Sequence, residues 1–148
     1  TGPNHSGHSM VSGETVAVDL DKTEANRDQI RSFVNEVLIG GDIQRLPQYV
    51  SVDSYVEHNP RLTDGLLSLQ AALMMQSDGE GKTIQYNTLH RLLAEGNFVL
   101  SVCEGFLEGR HTSFYDLYRL ADGNIVEHWD TAETMPPQSA WKNDNGKF

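Results

Sequence analysis

Residues 115–130, YDLYRLADGNIVEHWD, read as a β-hairpin and constrain this chain more than any other stretch. Asp122-Gly123 readily supplies the positive φ angles of a tight turn, and aromatic or branched residues flank it on both sides. Side chains alternate along a strand, so Phe114, Asp116, Tyr118 and Leu120 share one face, and Val126, His128 and Asp130 share another. With a three-residue loop of Ala121, Asp122 and Gly123, Asp116 opposes His128 and Phe114 opposes Asp130. Two carboxylates and an imidazole then gather where an apolar core is expected, beside Phe114, Tyr118 and Val126. A two-residue loop instead sets Asp116 against Trp129 and splits the cluster, so the chemistry depends on register.

The rest of the chain supplies helices first and strands afterwards. Asp21-Lys22-Thr23-Glu24 has capping-box spacing, and Ile30, Phe33, Val34, Val37 and Leu38 follow at helical intervals up to Gly40-Gly41. A short second helix is predicted from Asp42 to Tyr49, made irregular by Pro47. Val52 to Pro60 reads as a short extended segment, and Asp64-Gly65 opens a third helix that ends before residues 78–81. Two long strands, Thr83 to Ala94 and Asn97 to Glu108, then precede the hairpin. Without βαβ alternation, this is an α+β plan in which a mostly antiparallel sheet curls around the helices. A curled sheet closed by helices is a cone with an interior, the kind of concavity small molecules occupy.

A chain of 148 residues carries one domain with a real core. The division expected is a flexible leader or expression remnant over residues 1–20 and one domain over residues 21–148. A formal charge of −10 disfavours nucleic acid and anionic membrane surfaces as partners, since counterion release requires clustered Lys and Arg. The single cysteine, Cys103, rules out an internal disulfide and falls in a strand pattern, as an inert buried thiol would. The sequence shows neither an apolar run of about 20 residues nor a signal-peptide core, so a soluble, cytoplasmic protein is expected.

Several of these segments carry a family likeness. Tyr55-Val56-Glu57-His58-Asn59-Pro60 with Asp64-Gly65, the turn Leu93-Ala94-Glu95-Gly96-Asn97, and Asp116-Leu117-Tyr118-Arg119 through Glu127-His128-Trp129-Asp130 resemble the SnoaL-like polyketide cyclase branch of the nuclear transport factor 2 (NTF2-like) superfamily. The likeness runs over about residues 22–148. It implies an NTF2-like cone and a cofactor-independent, metal-free aldol cyclisation, in which a carboxylate removes a proton beside a carbonyl. Asp130 corresponds to the family's acid/base carboxylate. Asp116 falls where the cyclases can carry a second ionisable residue, often histidine. His58 and Asn59 match a polar pair near the pocket. The fold also hosts isomerases, dehydratases and non-catalytic binders, which stay open as alternatives.

The candidate catalytic residues are therefore Asp130, Asp116, His128 and His58. Asp116 beside Asp130 would raise the proton affinity of one of them, giving an acid and a base in one site. Pairing of Asp116 with His128 for stability alone is the competing reading. His128 could orient Asp130 or donate a proton. His58 or Asn59 could donate to a developing oxyanion, though Asn-Pro also starts turns. Substrate-binding candidates are Asn59, His90, Phe114, Tyr118 and Tyr55; either His90 or Arg91 would enter the cone. A metal held by His58, His90 and His128 with a carboxylate is disfavoured, because no pair has helical ligand spacing. The expected partners are a small hydrophobic carbonyl compound and a second copy of the chain. That copy would dock through an outer sheet face bearing Leu117, Arg119, Glu127 and Trp129.

Overall fold

The computed structural model describes residues 10–77 and 83–148. Residues 1–9 of the expected leader and residues 78–81, before which the third helix is expected to end, lie outside the described residues.

Helix α1 (Thr23–Phe33) continues directly into a π-helical segment, Val34–Ile39. Ile30, Phe33, Val34 and Val37 face the sheet and are buried, as their helical spacing requires. The expected capping box does not form: a 3-10 turn, Leu20–Lys22, precedes the helix, and no side chain caps it. The Thr23 hydroxyl instead donates to the Leu20 carbonyl and accepts the Gly96 amide, both at 2.8 Å. This ties the helix start to a turn of the sheet. The segment Ile43–Gln48 is 3-10 rather than α-helical, consistent with Pro47 lacking the N–H that a regular helix would use. Strand β1 (Val56–Glu57) and helix α2 (Leu66–Ser77) follow, and four long strands complete the fold.

These strands are β2 (Ile84–Glu95), β3 (Phe98–Leu107), β4 (Arg110–Ala121) and β5 (Asn124–Thr134). They form one sheet in the order β1-β5-β4-β3-β2, antiparallel except where β1 runs parallel to β5. Helices against one face of this mixed sheet realise the α+β cone, with Val99, Cys103, Phe114, Tyr118, Leu120 and Ile125 closing the core from the sheet side.

Two irregularities correct the expected facing. The β4–β5 turn has two residues, since Ala121 opposes Asn124, and a bulge follows between Arg119 and Leu120. Asp116 consequently opposes Asp130 rather than His128, Tyr118 opposes His128, and Phe114 opposes Ala132. A bulge adds one residue and restores parity, so Asp116, His128 and Asp130 stay on one face. Val126 gives up its expected core place to Ile125. In β2, register shifts between Tyr86 and Thr88 and between Leu89 and Arg91 keep Ile84, Tyr86, Leu89, Leu92 and Ala94 against the core. The second shift leaves both His90 and Arg91 exposed.

The outer face of the sheet is covered by the chain's own ends. Residues 10–18 cross it at Phe98, Leu117 and Trp129, pinned where Val18 and Asn97 exchange hydrogen bonds of 2.9 and 3.0 Å. At the other end Phe148 stacks on His90 with ring centroids 4.8 Å apart, and Lys147 pairs with Glu133. Gly96 lets the first strap approach: its φ is +57°, and a Cβ there would run into the Val18 carbonyl oxygen. Gly96→Ala is expected to release residues 10–18, read as faster hydrogen exchange at the Val18 and Asn97 amides with the rest of the sheet still protected. Among the described residues no helix is long and apolar enough to cross a membrane.

Candidate functional site

The parallel pairing of β1 with β5 sets Glu57 beside His128, and the β4–β5 hairpin sets Asp116 beside Asp130. These four ionisable groups line one end of a cavity of about 80 Å³ between the helices and the sheet. Its walls are mainly apolar, with Phe33, Leu38, Leu62, Leu69, Leu73 and Ile84 among them. Leu38 comes from the π-helical segment, a local widening often found beside functional sites.

His128 lies at the centre, almost fully buried. Its Nδ1–H donates to Glu57 Oε1 at 2.9 Å and its Nε2–H to Asp116 Oδ1 at 2.8 Å. Both ring nitrogens can donate only in the imidazolium form. Burial alone would push the His128 pKa down, but the Asp116 and Glu57 carboxylates outweigh it and raise it to about 10. Tyr118 stacks on the ring at 5.0 Å, presenting a π face to that cation. Glu57 is likewise opposed by its burial, yet hydrogen bonds from His128, from the Tyr55 hydroxyl (2.6 Å) and from the Asn59 amide (3.0 Å) hold its carboxyl below the ordinary value. Asp116 also accepts from the Tyr86 hydroxyl at 2.9 Å.

Asp130 is different. It lies on the solvent side of the cluster and, among the described residues, receives one side-chain hydrogen bond, from Asn59 Nδ2 to Oδ2 at 3.0 Å. Asp130 is exposed overall, yet its cavity-facing side is partly desolvated, and this raises its carboxyl above the ordinary value against the opposing pull of His128 and Asn59. The site thus contains a locked ion pair network and, at its edge, one carboxylate with raised proton affinity.

Of the residues singled out in the sequence, Asp116, His128, Asp130, Asn59, Tyr118 and Tyr55 all line this cavity. His58 does not: it points to the outer face, where its Nε2 contacts Glu127 Oε1 at 2.7 Å and its ring stacks on Trp129 at 4.5 Å. Glu127, which also accepts from Arg119 Nε at 2.6 Å, is buried there by these partners. His90 is also outside, sharing Glu104 with His111 beneath Phe148. Phe114 is core, stacked on Tyr86 at 4.5 Å behind the cavity wall. The ionisable residue missed is Glu57. Alternation gave a signal for Glu57, because a strand that turns Tyr55 inward turns Glu57 inward and His58 outward.

Asp116, His128 and Asp130 offer three ligand atoms within 4.8 Å of one another, spacing that could admit a cation. However, the His128 Nε2 that would ligate it is the nitrogen directed at Asp116, and Nδ1 is held by Glu57. A metal would have to displace that proton and the hydrogen bond it makes. The donor set as arranged fits a proton network better than a metal centre.

No family model matches this chain, and no curated protein matches it in sequence. Solved structures do match. A candidate ketosteroid isomerase from Kribbella flavida aligns with TM-score 0.63 and 19% identity over 85% of this chain and 94% of that one. IdmH, a candidate polyketide cyclase from Streptomyces antibioticus, aligns with TM-score 0.57 and 16% identity over 73% and 91%. An NTF2-like protein of unknown function from Cytophaga hutchinsonii aligns with TM-score 0.59 and 15% identity over 82% and 95%. Sheet order, helix placement and these alignments agree: the chain has the NTF2-like fold, as its resemblance to the SnoaL-like branch implied.

Proposed function

We propose that this protein is a cofactor-independent acid/base enzyme acting on a small carbonyl compound, with Asp130 as the base that removes a proton beside the carbonyl. The observation that carries this reading is the contrast between carboxylates. Glu57 and Asp116 are each tied to His128, whereas Asp130 keeps an oxygen with no hydrogen bond among the described residues and faces an apolar cavity with raised proton affinity. A carboxylate poised in this way takes a proton from carbon and returns it to another atom, the step shared by isomerases, dehydratases and aldol cyclases. SnoaL-like aldol cyclisation is the reaction put first, because the motifs resemble the cyclase branch. A cavity of about 80 Å³ suits a compact substrate rather than a polycyclic one.

The test is α-proton exchange in D₂O, followed by NMR over a panel of small cyclic ketones and β-dicarbonyl compounds. Exchange well above the buffer rate is expected for at least one member. Filling the cavity with Leu69→Trp should abolish it while the fold persists by circular dichroism. Exchange no faster than buffer across the panel would refute the reading.

A homodimer is the second proposal, favoured by the exposed apolar side chains of the N-terminal strap and of the 3-10 turn that follows it. Val16, Val18 and Leu20 are 70%, 53% and 62% exposed. Trp129, stacked on His58 and partly covered by that strap, is a less suitable anchor than the strap itself. Light scattering should give twice the chain mass for the parent and the chain mass for Val16→Glu; a monomeric parent would exclude the dimer.

A further inference from the structure

The hydrogen bonds around the cavity restrict what its ligand can be. Five side-chain donor atoms face this end of the site, and each gives a hydrogen bond to a carboxylate: the Tyr55 hydroxyl and His128 Nδ1 to Glu57, the Tyr86 hydroxyl and His128 Nε2 to Asp116, and Asn59 Nδ2 to Asp130, which leaves the second Nδ2–H of Asn59 as the remaining donor of the five. The Tyr118 hydroxyl lies toward Ser101 and Cys103. Acceptor capacity remains, chiefly at Asp130 Oδ1, because a carboxylate offers about four lone-pair sites and Asp130 uses one. Charge points the same way. Three carboxylates, Glu57, Asp116 and Asp130, stand against one imidazolium, His128, so the formal balance is 1 − 3 = −2. Phe33, Tyr55, Tyr86 and Tyr118 add aromatic surface, which also favours a cation.

We propose that the ligand of this cavity is a compact amine: a molecule that brings an ammonium group to the acidic end of the site, where Glu57, Asp116 and Asp130 outnumber His128, and lays its apolar body against Leu62, Leu69 and Leu73, leaving Asp130 Oδ1 to the carbon acid. This deepens the reading of the site as an acid/base centre and rests on it, narrowing the substrate to a carbonyl compound that also carries a basic nitrogen. A ligand with only acceptors would find the second Nδ2–H of Asn59 and would otherwise compete with carboxylates for donors already engaged. An anionic ligand would meet like charge in a poorly hydrated pocket.

Binding of four matched probes, cyclohexylamine, cyclohexanol, cyclohexanone and cyclohexanecarboxylate, separates the possibilities when followed by calorimetry and NMR shift mapping at pH 7.5. Cyclohexylamine is expected to bind at least about tenfold more tightly than cyclohexanone, with shifts at Asp130 and Leu69, and the carboxylate is expected not to bind. Asp130→Asn should remove most of the amine preference, whereas Asp144→Asn, at an exposed acid that does not line the cavity, should leave it intact. Loss in both variants would reduce the effect to the general attraction of an acidic protein for cations and overturn the proposal. Cyclohexanone binding as tightly as the amine, or no binding by any probe, would also overturn it. Failure here is distinguishable from failure of the enzymatic reading: α-proton exchange without amine preference refutes only the ligand class, and amine preference without exchange refutes only the chemistry.

Discussion

His128→Gln is expected to cost the fold about 3–5 kcal/mol at neutral pH, the usual penalty for removing one partner of a buried charge pair. Glu57 and Asp116 both direct an oxygen at the imidazolium, and both are buried. Glutamine can return one hydrogen bond but no charge, so two carboxylates are left close together in a poorly hydrated interior. The wild-type pH dependence follows from the same geometry. The His128 pKa is raised from 6.5 to about 10, so its contribution to stability is complete below pH 6.5 and is lost as pH climbs toward 10. Glu57 has its pKa lowered from 4.5, so its contribution is present above pH 4.5 and fades as pH falls through its folded value. Thermal melts of the wild type should therefore peak between these limits and decline from pH 6.5 to 10. His128→Gln should lose the alkaline slope and recover partly in acid, where its carboxylates can take up a proton. A wild type whose melting temperature is constant from pH 6.5 to 10 would contradict the imidazolium assignment.

Asp130→Asn is expected to separate stability from activity. A carboxyl whose pKa is raised in the folded state opposes folding once it is ionised, so replacing it with a neutral amide should leave the melting temperature unchanged or higher. Turnover should fall by roughly 10²–10⁴-fold, the range contributed by a positioned general base. Such a trade between stability and activity is common where a site carries strained or poorly solvated groups. Tyr86→Phe makes a useful contrast. It removes one hydrogen bond to Asp116, and a stability loss of about 1 kcal/mol is expected with little change in the role of Asp130.

Much of this arrangement was legible in the sequence, and the exceptions have physical causes. The helix face of Ile30, Phe33, Val34 and Val37 was readable because amphipathic spacing is local. The gathering of Asp116, His128 and Asp130 on one face was also readable, but for a reason different from the one assumed. A two-residue turn and a bulge stood in for a three-residue loop, and either device preserves parity. Bulges leave little local signature, which is why alternation left open whether His90 or Arg91 enters the cone, when neither does, and why Val126 was given the place of Ile125. His58 is a different kind of miss. The family likeness drew it into the site together with Tyr55, although alternation in a strand keeps residues three apart on opposite faces. The same rule admitted Glu57, whose importance emerges only when the parallel β1–β5 pairing sets it beside His128. Long-range register of that kind is not written in any local stretch.

The central claim is that Asp130 removes a carbon-bound proton inside the apolar cavity. Its most direct test is the rate of α-proton exchange in D₂O, measured by NMR on the best carbonyl compound of the panel, for wild type and Asp130→Asn at one pD. The expected result is exchange at least about 100-fold slower in the variant, with both proteins folded to the same extent. Equal exchange rates in the two proteins would contradict the assignment.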